Sequence, residues 1–303
     1  MIASFSLAGS YIAVADASED DGFTHHMLGI GYINNQFDYF GDGNSPYSIG
    51  GSVLTYSYIS KDNWSITLAS TGSDNRERWL TPGPFNSQLE SRAEGEESNY
   101  SVGASWLLDR HSIAVSYARS SIEEQSLSRL PATLEQIDSQ NQVMNIIYGY
   151  SGEHNKWQWD IQLGSQYTDA ELDVVQTVFT DPPTRIIIEQ KPQLWSAITD
   201  ISVGYWIEDE SLIWSPELTL GWTWELSRDE QLDGAVFRDG RIIPFNQGVN
   251  QFFSNTRIPD SGFWQLSALI IWNESWNSQI SYGNTINNDL EINNWTFDIN
   301  VSF

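Results

Sequence analysis

The last nine residues of the chain alternate strictly between apolar and polar side chains. The apolar set is Trp295, Phe297, Ile299, Val301 and Phe303, and Thr, Asp, Asn and Ser occupy the positions between them. A repeat of two residues predicts a β-strand, because successive side chains of a strand point to opposite faces of its sheet. One face of this predicted strand is wholly apolar and the other is wholly polar.

The same alternation recurs along the chain and predicts twelve strands in total. The clearest of them carry tryptophan on the apolar face, such as the strand that begins at Trp157 and the strand that ends at Trp224. The predicted strands cover residues 23–34, 48–60, 64–73, 98–108, 112–120, 141–151, 157–167, 194–206, 212–224, 264–272, 276–282 and 295–303. The sequence therefore predicts an all-β fold.

The predicted connections are alternately short and long. The short ones cover residues 61–63, 109–111, 152–156, 207–211 and 273–275. The long ones are polar and cover residues 35–47, 74–97, 121–140, 169–193, 225–262 and 286–293. Outer-membrane barrels have short periplasmic turns and long extracellular loops, whereas a soluble β-sandwich has no reason to alternate in this way. The pattern predicts an antiparallel up-and-down transmembrane β-barrel in the outer membrane of a Gram-negative cell.

Aromatic residues are abundant, with 14 Trp, 13 Tyr and 13 Phe. Many tryptophans lie at the ends of predicted strands, and amphipathic rings favour the headgroup level of a bilayer. The tryptophans beside short turns predict a periplasmic girdle: Trp64, Trp106, Trp157, Trp272 and Trp276. The tryptophans beside long loops predict an outer girdle: Trp195, Trp222, Trp224, Trp264 and Trp295.

The charge of the chain excludes several classes of partner. Acidic residues outnumber basic ones 40 to 14, which gives a formal net charge of −26. Nucleic-acid binding is not expected, because phosphates are bound through Lys and Arg. The chain has no cysteine, so neither a disulfide framework nor a thiolate site is possible. No cofactor and no metal site are predicted.

The polar face of the predicted strands lines the lumen of the barrel. Besides several glutamines, this face includes the carboxylates Asp160, Asp200, Glu217 and Asp298. A water-filled passage lined by acids favours cations. We therefore expect a narrow, cation-preferring channel, in which these four residues are candidates for selectivity.

Catalytic chemistry is not expected. The four histidines are His25, His26, His111 and His154, and the predicted strands place all of them at the periplasmic end, as water-exposed residues of turns or of the first strand. A general base for outer-leaflet chemistry would have to lie at the opposite end. His111 and Ser112 are neighbours, but alternation would point their side chains to opposite faces.

The first residues have the character of a targeting segment. Residues 2–15 are mostly small and apolar and precede Ala15-Asp16-Ala17, an A-x-A pattern typical of a signal-peptide cleavage site. Residues 1–17 are therefore expected to be a signal-peptide remnant, and residues 18–303 a single barrel domain. The alternative is an additional strand at residues 3–15, which would give an odd strand number.

The terminal run Trp-x-Phe-x-Ile-x-Val-x-Phe resembles the last strand of outer-membrane barrels in general. That resemblance implies that Phe303 belongs to the signal read by the barrel-insertion machinery. The segment from Tyr100 to Tyr117 is similar in style to hairpins of autotransporter translocator domains. No passenger precedes the barrel in this sequence, so the resemblance implies a solitary barrel of the autotransporter type.

A different function remains open for the long loops. They are acidic, and they also contain several arginines, which would pair with loop acids or with lipopolysaccharide phosphates. The loop 225–262 contains four phenylalanines and could enter the barrel mouth or present a binding surface. The alternative to a channel is therefore a surface adhesin or receptor, with an outer-membrane enzyme as a third class. Expected partners are outer-membrane lipids and lipopolysaccharide, and the sequence does not identify an extracellular ligand.

Overall fold

The computed structural model describes residues 25–39, 47–82, 88–129, 132–209, 212–244, 260–286 and 290–303. Its strands are β1 (His25–Tyr39), β2 (Tyr47–Ile59), β3 (Trp64–Pro82), β4 (Gln88–Leu108), β5 (His111–Arg129), β6 (Ala132–His154), β7 (Trp157–Val178), β8 (Thr184–Tyr205), β9 (Ile207–Asp209), β10 (Leu212–Arg238), β11 (Arg241–Pro244), β12 (Ser261–Asn273), β13 (Trp276–Ile286) and β14 (Leu290–Ser302). The predicted signal remnant, residues 1–17, lies outside the described residues. No helix long and apolar enough to cross a membrane occurs within the described ranges.

Twelve of these strands close into an antiparallel barrel. Each pairs with the next along the chain, except that β8 pairs directly with β10 and β10 with β12, because β9 and β11 are short additions to β10. Pairing of β1 with β14 closes the ring. At the base of this seam the Phe303 N–H donates to the His26 carbonyl at 2.9 Å. The predicted twelve-stranded barrel is confirmed.

The two faces of the barrel have opposite polarity. Ile30 lies on the outward face with 65% of its surface exposed, beside Leu54 on β2 and Ile299 on β14. Asn35 and Asn300, in contrast, are buried on the inward face. An apolar exterior around a polar interior is the arrangement that a bilayer requires, since lipid replaces water outside.

The predicted periplasmic turns are confirmed as short. Those between β2 and β3, β4 and β5, and β6 and β7 include Asn63, Asp109 and Asn155, which have φ values of 61°, 55° and 59°. Asn and Asp tolerate this left-handed conformation better than other side chains that have a Cβ atom. Their place in the turns therefore allows the chain to reverse within a few residues.

The predicted long loops are largely strand, and this part of the sequence interpretation was wrong. The seven adjacent strands β3 to β8 and β10 continue past the aromatic girdle as one sheet, which we call the upper wall. It consists of residues 74–82, 88–97, 121–129, 132–140, 169–178, 184–193 and 225–238. Because water surrounds both faces of this sheet, its sequence lacks the apolar alternation that identifies a membrane strand. The barrel is consequently taller here, where β10 has 27 residues and β13 on the other side has 11.

Candidate functional site

Three carboxylates lie on adjacent strands of the inward face and form what we call the inner acidic cluster. Asp160 is on β7, Asp200 on β8 and Glu217 on β10. The register places Asp160 opposite Ser202, and Ser202 opposite Thr219, two positions from Glu217. The strand pairing therefore concentrates negative charge on one side of the lumen.

Neutral groups supply the hydrogen bonds of this cluster. Gln162 Nε2 donates to Asp160 Oδ2 at 2.7 Å, and Thr219 Oγ1 donates to Glu217 Oε1 at 3.4 Å. The other oxygen of Asp160, Oδ1, has no hydrogen-bond partner in the described part of the chain. No Lys or Arg forms an ion pair with the cluster there. Its negative charge is therefore not compensated by neighbouring side chains.

Asp298 brings a fourth carboxylate to the inward face, on β14. Asn300 Nδ2 donates to Asp298 Oδ1 at 3.4 Å and to Asn277 Oδ1 at 3.0 Å. Gly31 lies opposite Asp298 on β1, and a Cβ atom at this position would come within 2.9 Å of the Asp298 Cβ. The glycine provides the room that this inward side chain occupies.

A β-bulge in β10 turns a basic residue into the lumen. The register with β8 shifts between Glu225 and Ser227. Before this bulge the even-numbered residues of β10 point outward, and after it they point inward. Arg228 therefore lies opposite Leu194 on the inward face. Among the side chains that the structure describes, it is the only Lys or Arg on an inward strand face below the hairpin tips.

Arg228 forms what we call the bulge cluster with Glu225 and Glu230. Its Nη2 lies 2.8 Å from Glu225 Oε2, its Nε donates to Glu225 Oε1 at 3.2 Å, and its Nη1 lies 3.6 Å from Glu230 Oε2. Gln190 also donates to Glu230. Asp260 Oδ1 accepts the Glu225 backbone N–H at 3.1 Å, which satisfies a donor at the bulge. Two carboxylates thus surround one guanidinium, and the cluster keeps a negative formal charge.

Sequence reasoning missed this cluster for two reasons. It assigned residues 225–262 to a loop, whereas residues 225–238 belong to β10 and residues 241–244 form β11. It also had no signal for the bulge. Without the bulge, Arg228 would point outward like Trp224, because the two residues are separated by an even number of positions. Residues 245–259 of the predicted loop lie outside the described residues.

The outward face of the upper wall carries a continuous row of acids. Each of its seven strands has a carboxylate directly opposite the carboxylate of the next strand. This outer acid row consists of Asp74, Glu96, Glu123, Asp138, Asp173, Glu189 and Asp233. Like charges directly opposite each other on a sheet are unfavourable. Water and dissolved counter-ions around this exposed face reduce the repulsion.

The predicted girdle tryptophans lie on the outward face, and those near the long connections are not all at strand ends, because β8 and β10 continue past Trp195, Trp222 and Trp224. At the short-turn end, Trp157 packs edge-on against Tyr205, with 4.9 Å between ring centroids. At the opposite level, the ring centroids of Trp195 and Tyr167 are 5.0 Å apart, and those of Trp295 and Tyr282 are 4.6 Å apart. Rings at two levels with an apolar band between them match the two interfaces of a bilayer.

Two histidines contact aromatic side chains at the short-turn end of the barrel, where His111 is exposed as predicted and His26 is half-buried. His26 Nδ1 lies 2.8 Å from the Tyr56 hydroxyl, and the ring of His26 stacks on Phe303 at 5.8 Å. His111 Nδ1 lies 2.6 Å from the Tyr148 hydroxyl. His111 begins β5 and His154 ends β6, so neither lies within a turn. His26 and His111 thus take part in aromatic packing at the base of the barrel.

A metal centre is not evident in the described part of the chain, which contains no group of three or more His, Asp or Glu side chains arranged to hold an ion.

The closed ring, the apolar belt and the two aromatic girdles define the class of protein, a transmembrane β-barrel.

No model of a known protein family matches the chain, and a comparison with curated proteins finds no significant match. Solved structures do match its fold. The translocator domain of the autotransporter NalP from Neisseria meningitidis is similar over 95% of this chain and 90% of that chain, with a TM-score of 0.59 and 10% identity. The β-domain of the Bordetella autotransporter BrkA is similar over 93% of this chain and 100% of that chain, with a TM-score of 0.55 and 12% identity. The chain therefore has the fold of an autotransporter translocator barrel.

Proposed function

We propose that this chain is an outer-membrane barrel of the solitary autotransporter type whose lumen conducts ions and prefers cations. The observation that carries the proposal is the charge of the inward face. Asp160, Asp200, Glu217 and Asp298 lie there without a basic partner, and Arg228 is already bound by two carboxylates. In a confined aqueous space with walls of low dielectric constant, the potentials of such charges add.

The selectivity should depend on ionic strength, because dissolved salt screens the wall charges. The screening length falls from about 10 Å at 0.1 M salt to about 3 Å at 1 M. We therefore expect cation preference to be strongest in dilute salt and to weaken as the concentration rises. Reversal potentials across planar bilayers, measured at several concentrations with a fixed ratio, test this dependence.

The decisive variant replaces all four carboxylates with amides: Asp160→Asn, Asp200→Asn, Glu217→Gln and Asp298→Asn. Amides keep the shape and hydrogen-bonding capacity of the side chains but remove their charge, so the barrel should fold while cation preference falls. A matched control removes four charges from the outer acid row: Glu96→Gln, Glu123→Gln, Asp138→Asn and Asp173→Asn. The control changes the net charge equally, and its reversal potential should stay close to that of the parent.

Four outcomes would reject the proposal. Anion preference in the parent protein is one, and an unchanged reversal potential in the lumen variant is another. An equal change in both variants would show that net charge, and not the lumen, determines selectivity. A complete absence of conductance would reject the channel and leave the barrel fold as it is.

The proposed location has a separate test. The chain should fractionate with outer membranes, where lipids and lipopolysaccharide surround it, and migrate faster on gels before boiling, because a closed barrel resists detergent until heated. Recovery of the chain as a soluble protein would contradict this location.

Phe303 provides a test of the proposed contact with the insertion machinery. It is 71% exposed at the barrel base, where its ring stacks on His26. Deletion of Phe303 should reduce assembly in cells more than refolding of the purified chain in detergent. A His26→Ala variant controls for the lost stacking, and equal effects of the deletion in both assays would exclude a recognition role.

A further inference from the structure

The inner face of the upper wall is apolar, which reverses the arrangement of the membrane belt. On β7, Asp173 points outward in the outer acid row, and its neighbours Leu172 and Val174 point inward, because each is an even number of positions from the inward Asp160. Charged side chains thus face outward at this level, and apolar side chains face the interior.

Six apolar side chains on the adjacent strands β6, β7, β8 and β10 form what we call the inner apolar patch. The strand register places all six on the inward face: Ile137, Leu172, Val174, Ile186, Ile188 and Leu232. Ile188 is buried and the other five are half-buried, so part of their apolar surface remains exposed on the inward face. Because the wall stands above the lipid belt, this surface borders an aqueous space, and covering it with a ligand is favourable.

The size and shape of the inner apolar patch fit a small molecule and not a protein. The patch spans about 14 Å across its four strands and about 13 Å along them, which gives an area of roughly 200 Å². A protein partner buries about 800 Å² on each side of a stable interface. The patch also continues the inner wall of the lumen upward, so it lies on the concave side of the sheet.

Carboxylates border the patch on its β5–β6 side. Glu124 lies directly opposite Ile137, and Glu135 is two positions from Ile137 on the same face of β6. Gln176 Nε2 donates to Glu135 Oε2 at 3.1 Å across the β6–β7 pair, which holds this carboxylate on the inward face. Two negative charges therefore lie at one side of the apolar surface.

The basic residues of this inner face lie away from Glu124 and Glu135. In the described part of the chain they are Arg228, which Glu225 and Glu230 already bind, and the tip residues Arg238 and Arg241. All three are on β10 or β11, three strands or more from β6. The β5–β6 side of the patch is therefore complementary to positive charge.

We propose that the inner apolar patch binds an amphipathic organic cation, that is, a small molecule with an ammonium group and an apolar chain. The ammonium group lies at Glu124 and Glu135, and the chain covers Val174, Ile186 and Ile188. The site goes beyond ion conduction, because its occupancy does not depend on whether the barrel conducts.

The test uses the full chain folded in phosphatidylcholine nanodiscs, with hexyltrimethylammonium as the probe and calorimetric titration as the measurement. Empty nanodiscs provide the correction for partition of the probe into lipid. We expect saturable binding that weakens as salt increases. Tetramethylammonium has the charge without the chain, and 1-hexanol has the chain without the charge. Each should bind at least about tenfold more weakly, because it satisfies only one part of the site.

One pair of variants tests the apolar contact. Val174→Thr with Ile186→Thr changes the inward face of β7 and β8, and threonine keeps the branched shape that suits a strand. Binding of hexyltrimethylammonium should weaken about fivefold or more, since apolar contact is lost. The matched control is Val175→Thr with Ile187→Thr, at neighbouring positions of the same two strands that point outward. It should bind like the parent.

A second pair of variants tests the charge. Glu124→Gln with Glu135→Gln should weaken binding of hexyltrimethylammonium about threefold or more and should leave binding of 1-hexanol unchanged. Its matched control, Glu123→Gln with Asp138→Asn, removes two charges from the outward face of the same two strands. The control should bind the probe like the parent.

Several results would overturn the proposal. Absence of saturable binding by the folded parent is one, and it would mean that another occupant, such as a chain segment outside the described residues, covers the patch. Binding of tetramethylammonium or 1-hexanol as tight as that of hexyltrimethylammonium would show that charge and chain do not act together. Equal effects of the inward variants and their outward controls, in chains that still migrate as folded barrels, would place the ligand elsewhere.

Discussion

The same strands behave differently inside the lipid belt and in the upper wall. On β5, Val115 and Glu123 both point outward, because they are separated by an even number of residues. Val115 lies in the apolar belt with nearly half of its surface exposed, whereas Glu123 lies opposite two other carboxylates. The strand and its ladder of backbone hydrogen bonds continue between them without a break. Only the surrounding solvent changes, from lipid to water.

The backbone hydrogen bonds form the strands in both regions, whereas the surrounding medium determines the polarity of their side chains. The backbone pairing of β5 with β4 and β6 extends through both regions, and it satisfies donors and acceptors equally in each. Side-chain polarity follows the medium, because a charge is costly in hydrocarbon and inexpensive in water. A membrane strand and its extracellular extension are therefore one structural element with two sequence patterns.

The largest predicted effect follows from placing the same charge in both regions of β5. Val115→Arg should destabilise the barrel by about 2–4 kcal/mol, the cost of an arginine near the bilayer midplane. Gln125→Arg, ten residues along the same outward face, should change the free energy of unfolding by less than about 0.5 kcal/mol. Urea titration of the barrel refolded into lipid vesicles measures both. Equal losses would show that lipid does not surround Val115.

The second prediction compares an inward ion pair with an outward one. Arg228 has a side chain only 16% exposed, and replacing it with methionine leaves Glu225 and Glu230 without their partner. The loss of charge-assisted hydrogen bonds should cost about 1–3 kcal/mol. Lys191→Met removes the outward pair with Glu171, whose side chains are both 48% exposed, and should have no measurable effect. The same urea titration applies, and a larger loss from Lys191→Met would reverse the comparison.

The sequence predicted the lower part of the barrel well, for a physical reason. Lipid on one face and water on the other produce strict alternation, as in the run from Trp295 to Phe303, and the structure pairs this run with both β13 and β1. The alternation alone then shows which side chains of a strand face the lipid and which face the lumen. The sequence therefore predicts Asp160 and Glu217 on the lumen side, and the strand register places both on the inward face.

The upper wall could not be predicted in the same way, because no periodic contrast marks a strand that has water on both faces. The segment from Ser121 to Ser128 is polar at most positions, yet it pairs residue by residue with β6. The bulge at Leu226 was equally invisible, since one extra residue in a ladder leaves no pattern. Its consequence, an inward Arg228, depends on registry that only the structure provides.

The smallest predicted effect concerns the outer acid row, and it acts on the upper wall alone. Glu123 and Asp138 lie directly opposite each other, and each has a further carboxylate on its other side. Replacing both with amides should stabilise the sheet, since like charges at opposed positions cost roughly 0.2–1 kcal/mol per pair. The gain should appear as slower hydrogen exchange in residues 121–140, with no change at residues 112–118 in the belt. It should shrink in 1 M salt, where screening already weakens the repulsion of the parent. Faster exchange in the variant would mean that these carboxylates form stabilising contacts, and an equal change in both segments would mean that belt and wall open as one unit.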